Sequence, residues 1–494
     1  MKIIIRNCNV AELDIPLKYA IKLYNEFAIR HPNAFYLRTR QRGMQNWDGK
    51  IKYITKTGQF KIGLLPSVYK RCIELGIKPI IVDMRQPLPK VSKVVTQIGK
   101  YKLRPEQEKA VKAILSNKLG ETPFQIGILD YTVNAGKTLI MSALYLSYKK
   151  QLKTLLITND SDWLNQARDE FKQYLPGEDI TFVQGKVLNW SNFTIGMVQS
   201  ISRNMRFYQK ELSQIDMVLI DEADQGGSRQ YQNVITRLFN TRIRIGLSGT
   251  IYMSKLAKDK VKNMNLECFF GKVLAEFKLR DSIKKGYSTK TVVKMVPGKP
   301  WYGNWESDCI SYKEIYDDSI TNSYTAWLMA YSRLRWNINQ GRYPALVVCK
   351  HIAHCENLYK FFKKKLGDAY NIAYVHVNTK SKLRQQIMKD FRDGKIDILV
   401  STTIIARGKN FPKLRYLLNA ASMDSQEKSI QFLGRLVRTD KSKKKVYLDD
   451  LHYPGNYLDR HGKHRKQYYQ RQELKVILLD KLWKKHPNHS LIQS

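Results

Sequence analysis

The chain has 494 residues, too many for a single hydrophobic core, so two to four domains are expected. With 43% hydrophobic and 26% charged residues it matches an ordinary globular protein, and no apolar run is long enough to span a membrane. The charge is unusual: 85 Lys and Arg against 43 Asp and Glu leave +42, which points to a polyanionic partner.

The chain opens on Ile3 to Ile5, too short an apolar run for a signal segment. Six cysteines, at 8, 72, 268, 309, 349 and 355, form no CxxC pair, so no disulfide framework is expected and a reducing, cytoplasmic location fits. Residues 1–95 are read as a small α+β module. Leu17, Ala20, Ile21, Tyr24, Phe27 and Ala28 recur at helical spacing after Pro16. Phe35 to Arg42 reads as a strand that puts Tyr36, Arg38, Arg40 and Arg42 on one face, and Gly49 to Ile54 as a second that puts Lys50 and Lys52 on one side. The module holds 18 Lys and Arg against 6 Asp and Glu. Its aromatic and arginine face reads equally as a nucleic-acid surface and as a solvated strand face.

Pro87 and Pro89 mark a linker. In residues 96–290 apolar strands alternate with helical patterns: Ile126 to Leu129, Thr154 to Ile157, Phe193 to Val198, Met217 to Ile220 and Ile243 to Leu247. Such alternation predicts a parallel sheet covered by helices. Residues 285–320, with Gly286, Pro297, Gly298, Pro300 and Gly303, are read as an irregular bridge. A second alternating series fills 291–455: Ala345 to Val348, Ile372 to Val377, Ile396 to Val400, Tyr416 to Asn419 and Lys445 to Leu448. The predicted fold class is therefore α/β, two tandem RecA-like parallel-sheet lobes after a small α+β domain. Residues 456–494 read as a basic helical tail. Cys349, His351, His354 and Cys355 lack the spacing of a zinc finger or ribbon and read as a strand-to-helix turn.

Two signatures carry chemistry. Tyr131-Thr-Val-Asn-Ala-Gly-Lys-Thr138 lies between a strand and a helical run, the context of a phosphate-binding loop. Backbone N–H groups from Asn134, Ala135 and Gly136 onward would face phosphates at a helix N-terminus. Lys137 would neutralise β and γ oxygens, and the Thr138 hydroxyl would ligate magnesium. Val218-Leu-Ile-Asp-Glu-Ala-Asp224 is an apolar strand ending in carboxylates. Asp221 is placed to hold the metal, and Glu222 to position and deprotonate the attacking water. ATP and Mg2+ are the expected cofactors.

The order of segments extends this pair. Leu103-Arg-Pro-Glu-Gln107 precedes the loop, and Gly246-Leu-Ser-Gly-Thr250 follows the carboxylates. Ser401 to Asn410 and Gln431-Phe-Leu-Gly-Arg-Leu-Val-Arg438 come later. As a set over residues 100–450, these segments resemble the motifs of superfamily 2 helicases. The resemblance implies that Gln107 reads adenine, that Ser248 and Thr250 couple hydrolysis to lobe movement, and that Gly408 and Asn410 lie in a loop between nucleotide and strand. It also implies that Gln431 lies beside the γ-phosphate and that Arg435 and Arg438 act as arginine fingers. The tetrad Asp221 to Asp224 spells the DEAD-box name. Those RNA helicases, however, carry Ser-Ala-Thr where this chain has Ser248-Gly-Thr250, and His where it has Gln431. Asn46-Trp-Asp-Gly-Lys-Ile-Lys52, Gly63-Leu-Leu65 and Lys350-His-Ile-Ala-His354 resemble phage UvsW-type helicases, with Asp224 for the usual His and Asn134 for Ser.

That likeness implies an ATP-dependent DNA helicase or translocase that regresses forks and migrates junctions in replication, recombination and repair. Its partners would be branched or forked DNA together with single-stranded DNA-binding or recombination proteins, in the host cytoplasm for a phage-encoded chain. The alternatives are an RNA helicase of the same superfamily and a non-motor nucleic-acid-binding protein.

Overall fold

A computed structural model describes residues 1–40, 43–91, 93–148, 151–185, 187–251, 257–298, 311–406 and 411–479. The chain divides into two compact units, Met1–Phe277 and Lys278–Ser494.

The first unit is built on a mostly parallel sheet. Its strands run, from one edge, Val187–Leu188, Ile180–Gln184, Phe193–Met197, Thr154–Thr158, Met217–Asp221, Ile243–Ser248, Ile126–Tyr131 and Val273–Phe277. The edge strand Val187–Leu188 pairs antiparallel, and every other pairing is parallel. The central strands are buried along their whole length, which is why they read as unbroken apolar runs: both faces lie under helices. All five strands expected in this lobe are present. Ile180–Gln184 and Val273–Phe277 were not anticipated.

Residues 1–95 form a four-stranded sheet in the order Gln59–Lys61, Val10–Asp14, Lys2–Ile5 and Ile80–Asp83. Its core is not its own. Ile3, Ile5, Leu64 and Val68 belong to one buried cluster with Phe124, Ile126, Leu266 and Phe270 of the lobe. At Gly63 a Cβ would come within 2.1 Å of Glu267 O, so only glycine permits this approach. Arg244 is fully buried and crosses the junction. It donates to Cys8 O at 2.7 Å, Asn9 Oδ1 at 2.8 Å and Phe269 O at 3.1 Å.

Three expectations are corrected. Phe35 to Arg42 is not a strand: Ala34–Arg40 is a helix, with Leu37 N bonded to Asn33 O at 2.9 Å. Tyr36 and Arg40, four residues apart, share a face in either structure, so their spacing could not separate the two periods. The Arg40 guanidinium lies 4.9 Å from the Tyr36 ring centroid, and Arg38 leaves that face. Arg42 lies outside the described residues. The extended segment near Gly49 is present as Lys50–Lys52, paired with Ala28–Arg30.

The stretch 285–320 is not an irregular bridge either. Lys290–Pro297 is an interior strand of the second unit's sheet, and Tyr312–Tyr316 is a helix. The prolines and glycines cluster after the strand's apolar run and masked it. That second sheet runs Ile372–Val375, Ile398–Thr402, Ala345–Cys349, Tyr416–Asn419, Lys445–His452, Lys290–Pro297 and Val476–Leu478, all parallel. The five strands expected here are present. The architecture is thus α/β with two tandem RecA-like lobes.

The third correction concerns the C-terminal segment, which through Leu478 is part of the lobe. In the helix Asn456–Arg471, Arg465 has no exposed surface and holds Asp450 through Nε and Nη2 at 2.8–3.1 Å. Tyr469 and Asn419 donate to the same carboxylate. Lys475 is exposed, while Lys481, Lys484 and Lys485 lie outside the described residues.

Cys349 ends the strand Ala345–Cys349, His351 caps the helix Ile352–Leu366, and His354 and Cys355 lie in that helix's first turn. His354 is buried against Tyr316, with Nδ1 3.2 Å from a hydroxyl that donates to Ala421 O. Burial pushes His354 down to about 3, and burial pushes His461 down to about 4, both from 6.5. A folded value below the unfolded one means the unfolded chain takes the proton first. Stability is therefore present above pH 6.5 and falls as pH drops through 6.5 toward 4, by at most about 1.4 kcal/mol per pH unit for each histidine. His354→Gln should flatten that slope in thermal melts of the full chain. Equal slopes in the two proteins would refute the assignment.

Candidate active site

The phosphate loop leaves the strand Ile126–Tyr131 and enters the helix Lys137–Ser147. The carboxylates end Met217–Asp221, and Ser248 ends Ile243–Ser248, the strand between those two. Parallel pairing brings all three C-terminal ends to one edge of the sheet, where open α/β folds bind ligands.

The loop's backbone is unusual where its chemistry lies. Asn134 (φ 63°) and Gly136 (φ 71°) are left-handed. Asparagine tolerates that region better than serine, so Asn134 suits the loop's own geometry. Gly136 suits this left-handed backbone, which residues with a Cβ rarely adopt, and a Cβ there would also press on Gln107 Nε2. Gln107 is buried, donates to Ala135 O at 2.9 Å and accepts from Arg104 N at 2.9 Å. Both ends of its amide are therefore engaged within the lobe. Arg104 Nη1 also donates to Asn134 O at 3.2 Å. Tyr131, which departs from the small residue usual at its position, is buried and donates to Glu106 O at 2.7 Å. The helix Pro105–Leu115 and its cap residue Arg104 thus brace the loop at three points.

Lys137 Nζ lies 3.8 Å from Asp221 Oδ1. That carboxylate oxygen is buried and accepts no hydrogen bond among the described residues. Burial pushes the Asp221 carboxyl above its ordinary range, and Lys137 opposes the shift. A buried oxygen with spare lone pairs fits a hard divalent cation, and Thr138 follows Lys137 on the first turn of the helix. Glu222 follows in a left-handed conformation (φ 53°), an uncommon state for a non-glycine residue and one found at functional sites. Gln225 Nε2 stands 3.5 Å from Glu222 Oε2. Ser248 Oγ donates to Asp224 Oδ1 at 2.7 Å and lies 3.0 Å from Thr250 Oγ1. The second aspartate of the tetrad, Asp224, thereby ties the carboxylate segment to the next strand.

In the second unit Gln431 and Arg435 lie on the helix Gln426–Leu436 and Arg438 just beyond it, all half-buried and at i, i+4, i+7 spacing. Gln431 Nε2 is 3.5 Å from Glu427 Oε1. Gly408 and Asn410 lie outside the described residues. Motif reasoning missed a cation pair in this unit. Lys350 Nζ sits 4.0 Å from the Tyr312 ring centroid and 5.0 Å from that of Tyr316, and Lys428 Nζ donates to Thr403 Oγ1 at 3.2 Å. Burial and then Lys428 hold the Lys350 ammonium below its usual value, opposed by Asp317.

Of the residues expected to contact nucleic acid, Arg38, Arg40 and Lys50 are exposed. Lys52 lies 3.2 Å from Asp48 and 4.5 Å from the Tyr24 ring centroid. Phe35, 80% exposed, joins Tyr36 on the surface of this helix. Among the described residues no helix is long and apolar enough to cross a membrane.

A braced phosphate loop, a lysine facing a buried strand-end carboxylate and a second lobe of the same fold define a nucleoside-triphosphatase of the tandem-lobe class. Residues 100–253 match the family model described as type III restriction enzyme, res subunit, and residues 330–440 match the helicase conserved C-terminal domain. The chain is a superfamily 2 helicase.

It is 23% identical over 389 residues to a helicase-named protein of the Sulfolobus islandicus filamentous virus, covering 72% of this chain and 65% of that one. The chain spans about half to two thirds of the length of the curated relatives it matches first. Some further relatives are named RNA helicases. The DNA-bound type ISP restriction-modification enzyme LlaBIII shares the fold at TM-score 0.57 and 13% identity, over 84% of this chain and 34% of that one. T4 UvsW matches 98% of this chain and 100% of its own at 20% identity, with a TM-score of 0.44, too low to carry a structural argument.

Proposed function

We propose that the chain is an ATP- and magnesium-dependent DNA translocase that remodels forks and junctions. The observation that carries the catalytic part is the Lys137–Asp221 constellation at 3.8 Å on the braced loop. Thr138 and Asp221 would hold the metal, which supplies charge neutralisation for the phosphates. Lys137 binds the β and γ oxygens, and Glu222 orients the attacking water and takes its proton. By the helicase resemblance, Arg435 and Arg438, with Gln431 on the same helical stretch, would stabilise charge on the transferring phosphoryl group. Ser248 and Thr250, joined to Asp224, pass the state of the carboxylate segment to the neighbouring strand.

The net charge of +42 favours phosphate-dominated binding with little sequence preference and strong salt dependence. The branched-DNA part rests on the N-terminal module. Because its core is continuous with the ATP lobe, DNA held by Arg38, Arg40, Lys50 and Lys52 would be fixed relative to the nucleotide. The exposed rings of Phe35 and Tyr36 add stacking surfaces for unpaired bases. RNA remodelling is the second reading, favoured by the relatives named RNA helicases. Single-stranded DNA-binding or recombination proteins would be partners of the first reading only.

The test is magnesium-dependent ATP turnover with a four-way junction, a forked duplex, single-stranded DNA and single-stranded RNA, with Glu222→Gln as control. Stimulation by the branched DNAs of about tenfold or more over single-stranded RNA is expected, equivalent to about 1.4 kcal/mol. Stimulation by RNA alone would sink the DNA assignment and leave the motor intact.

A further inference from the structure

The second unit carries a cationic surface that the motor motifs do not use. On the strand Lys445–His452, consecutive carboxylates point to opposite faces of the sheet. Asp450 holds Arg465 of the helix Asn456–Arg471, whose Arg471 also bonds Gln426 at the start of the helix carrying Arg435. Asp449 faces the other way. It takes Arg333 at 2.7 Å, together with Asn337 and Tyr416, from the helix Tyr324–Ile338 and the neighbouring strand. The face described next is therefore the one opposite Arg435.

Strand register sets Lys290 beside Lys445, Val292 beside Tyr447 and Lys294 beside Asp449. Above them stands Trp336, 41% exposed. Lys294 Nζ and the Arg342 guanidinium each lie 4.8 Å from the Trp336 ring centroid. Arg342 also stacks 3.6 Å from the centroid of Tyr447, which Lys445 approaches at 5.7 Å. Arg333 reaches the indole at 5.0 Å but is buried and neutralised by Asp449. Among the described residues Lys294, Arg342 and Lys445 form no salt bridge within 4.0 Å, and the Arg342 guanidinium donates only to the neutral Asn337 side chain, at 2.9 Å. Burial, together with Arg333, Arg342 and Lys445, lowers the Lys294 ammonium from its usual value, with Asp449 opposing.

Cations crowded on one face repel each other, and aromatic faces relieve that only in part. A line of phosphates would neutralise the face. The half-exposed indole adds what a carboxylate-rich peptide has no use for, a flat surface for a base. We propose that this face of the second unit binds a single nucleic-acid strand, with phosphates on Lys290, Lys294, Arg342 and Lys445 and a base stacked on Trp336. The site is additional to any nucleic-acid track served by the motor motifs. It holds whether the motor prefers DNA or RNA.

Anisotropy of a labelled oligothymidylate, titrated into the nucleotide-free full chain across a salt series, tests it. Arg342→Glu combined with Lys445→Glu should weaken binding at low salt by about fivefold or more and reduce the salt slope by about 1. Trp336→Ala should weaken binding, Trp336→Phe should retain it, and an iodouracil oligonucleotide should photocrosslink to the peptide containing Trp336. Basal ATP turnover without nucleic acid should be unchanged in all variants, and nucleic-acid-stimulated turnover of the unaltered chain reads the motor assignment separately. Unchanged affinity and slope in the charge variant would overturn the proposal. So would a charge effect with no effect of Trp336→Ala, which marks a plain polyanion surface. Displacement of the oligonucleotide by polyglutamate at equal charge concentration would overturn it in favour of an acidic protein partner.

Discussion

Lys137→Ala is expected to lower magnesium-dependent ATP turnover by about 100-fold or more, with little change in the melting midpoint. The lysine's charge is aimed at phosphate oxygens, and removing one preorganised charge-stabilising group of this kind typically costs about 2.7–4 kcal/mol in the transition state. The same change strips the buried Asp221 carboxylate of the cation 3.8 Å away, so Asp221 rises further and holds a metal less well at neutral pH. Glu222→Gln should separate the two roles: nucleotide binding is retained, because the phosphate loop is untouched, while turnover is lost. Steady-state phosphate release and binding of a fluorescent nucleotide measure both. Turnover of Lys137→Ala within about threefold of the unaltered chain would contradict the site.

Arg244→Ala is expected to destabilise the first unit by about 3–5 kcal/mol, the largest stability effect anticipated here. The guanidinium is buried, bonded to three oxygens and pushed down to about 10 by burial, so it remains charged at neutral pH. Its removal would leave Cys8 O, Asn9 Oδ1 and Phe269 O without this donor in a closed core, at about 1–3 kcal/mol for each acceptor left unsatisfied. Arg244→Lys should not rescue fully, because a compact ammonium cannot reproduce the planar fork. Two of the three acceptors belong to residues 1–95, so the N-terminal module should lose its protection in hydrogen exchange first. Chemical denaturation of the full chain, monitored with exchange mapping, would show it. An unfolding midpoint unchanged by Arg244→Ala would mean that the apolar cluster alone holds the module.

The local setting of the motifs could be read in the sequence because it depends on near neighbours. Lys137 and Thr138 open a helix after a strand, and Asp221 ends an apolar strand, as their short-range context predicts. The buried parallel strands were legible for the same reason, since burial on both faces demands continuous apolar runs. The misreadings share one cause. Tyr36 and Arg40 satisfy helix and strand periods alike, and the bond from Leu37 N to Asn33 O marks the helix. Lys290–Pro297 was hidden by the prolines and glycines that follow it, although its neighbours in the sheet are far away in sequence. Arg465 looked like part of a basic tail until Asp450 stood opposite it.

By itself the sequence determined the motif set, the two series of parallel strands and the polyanion-seeking charge. These depend on residue type and on spacing over at most a few turns. The tertiary structure alone decided that residues 1–95 share the first lobe's core, that Gln107 braces the phosphate loop, and that Lys294, Trp336, Arg342 and Lys445 meet on one face. Each of those contacts joins segments distant in the chain, and its energy comes from desolvation and register that no local pattern encodes.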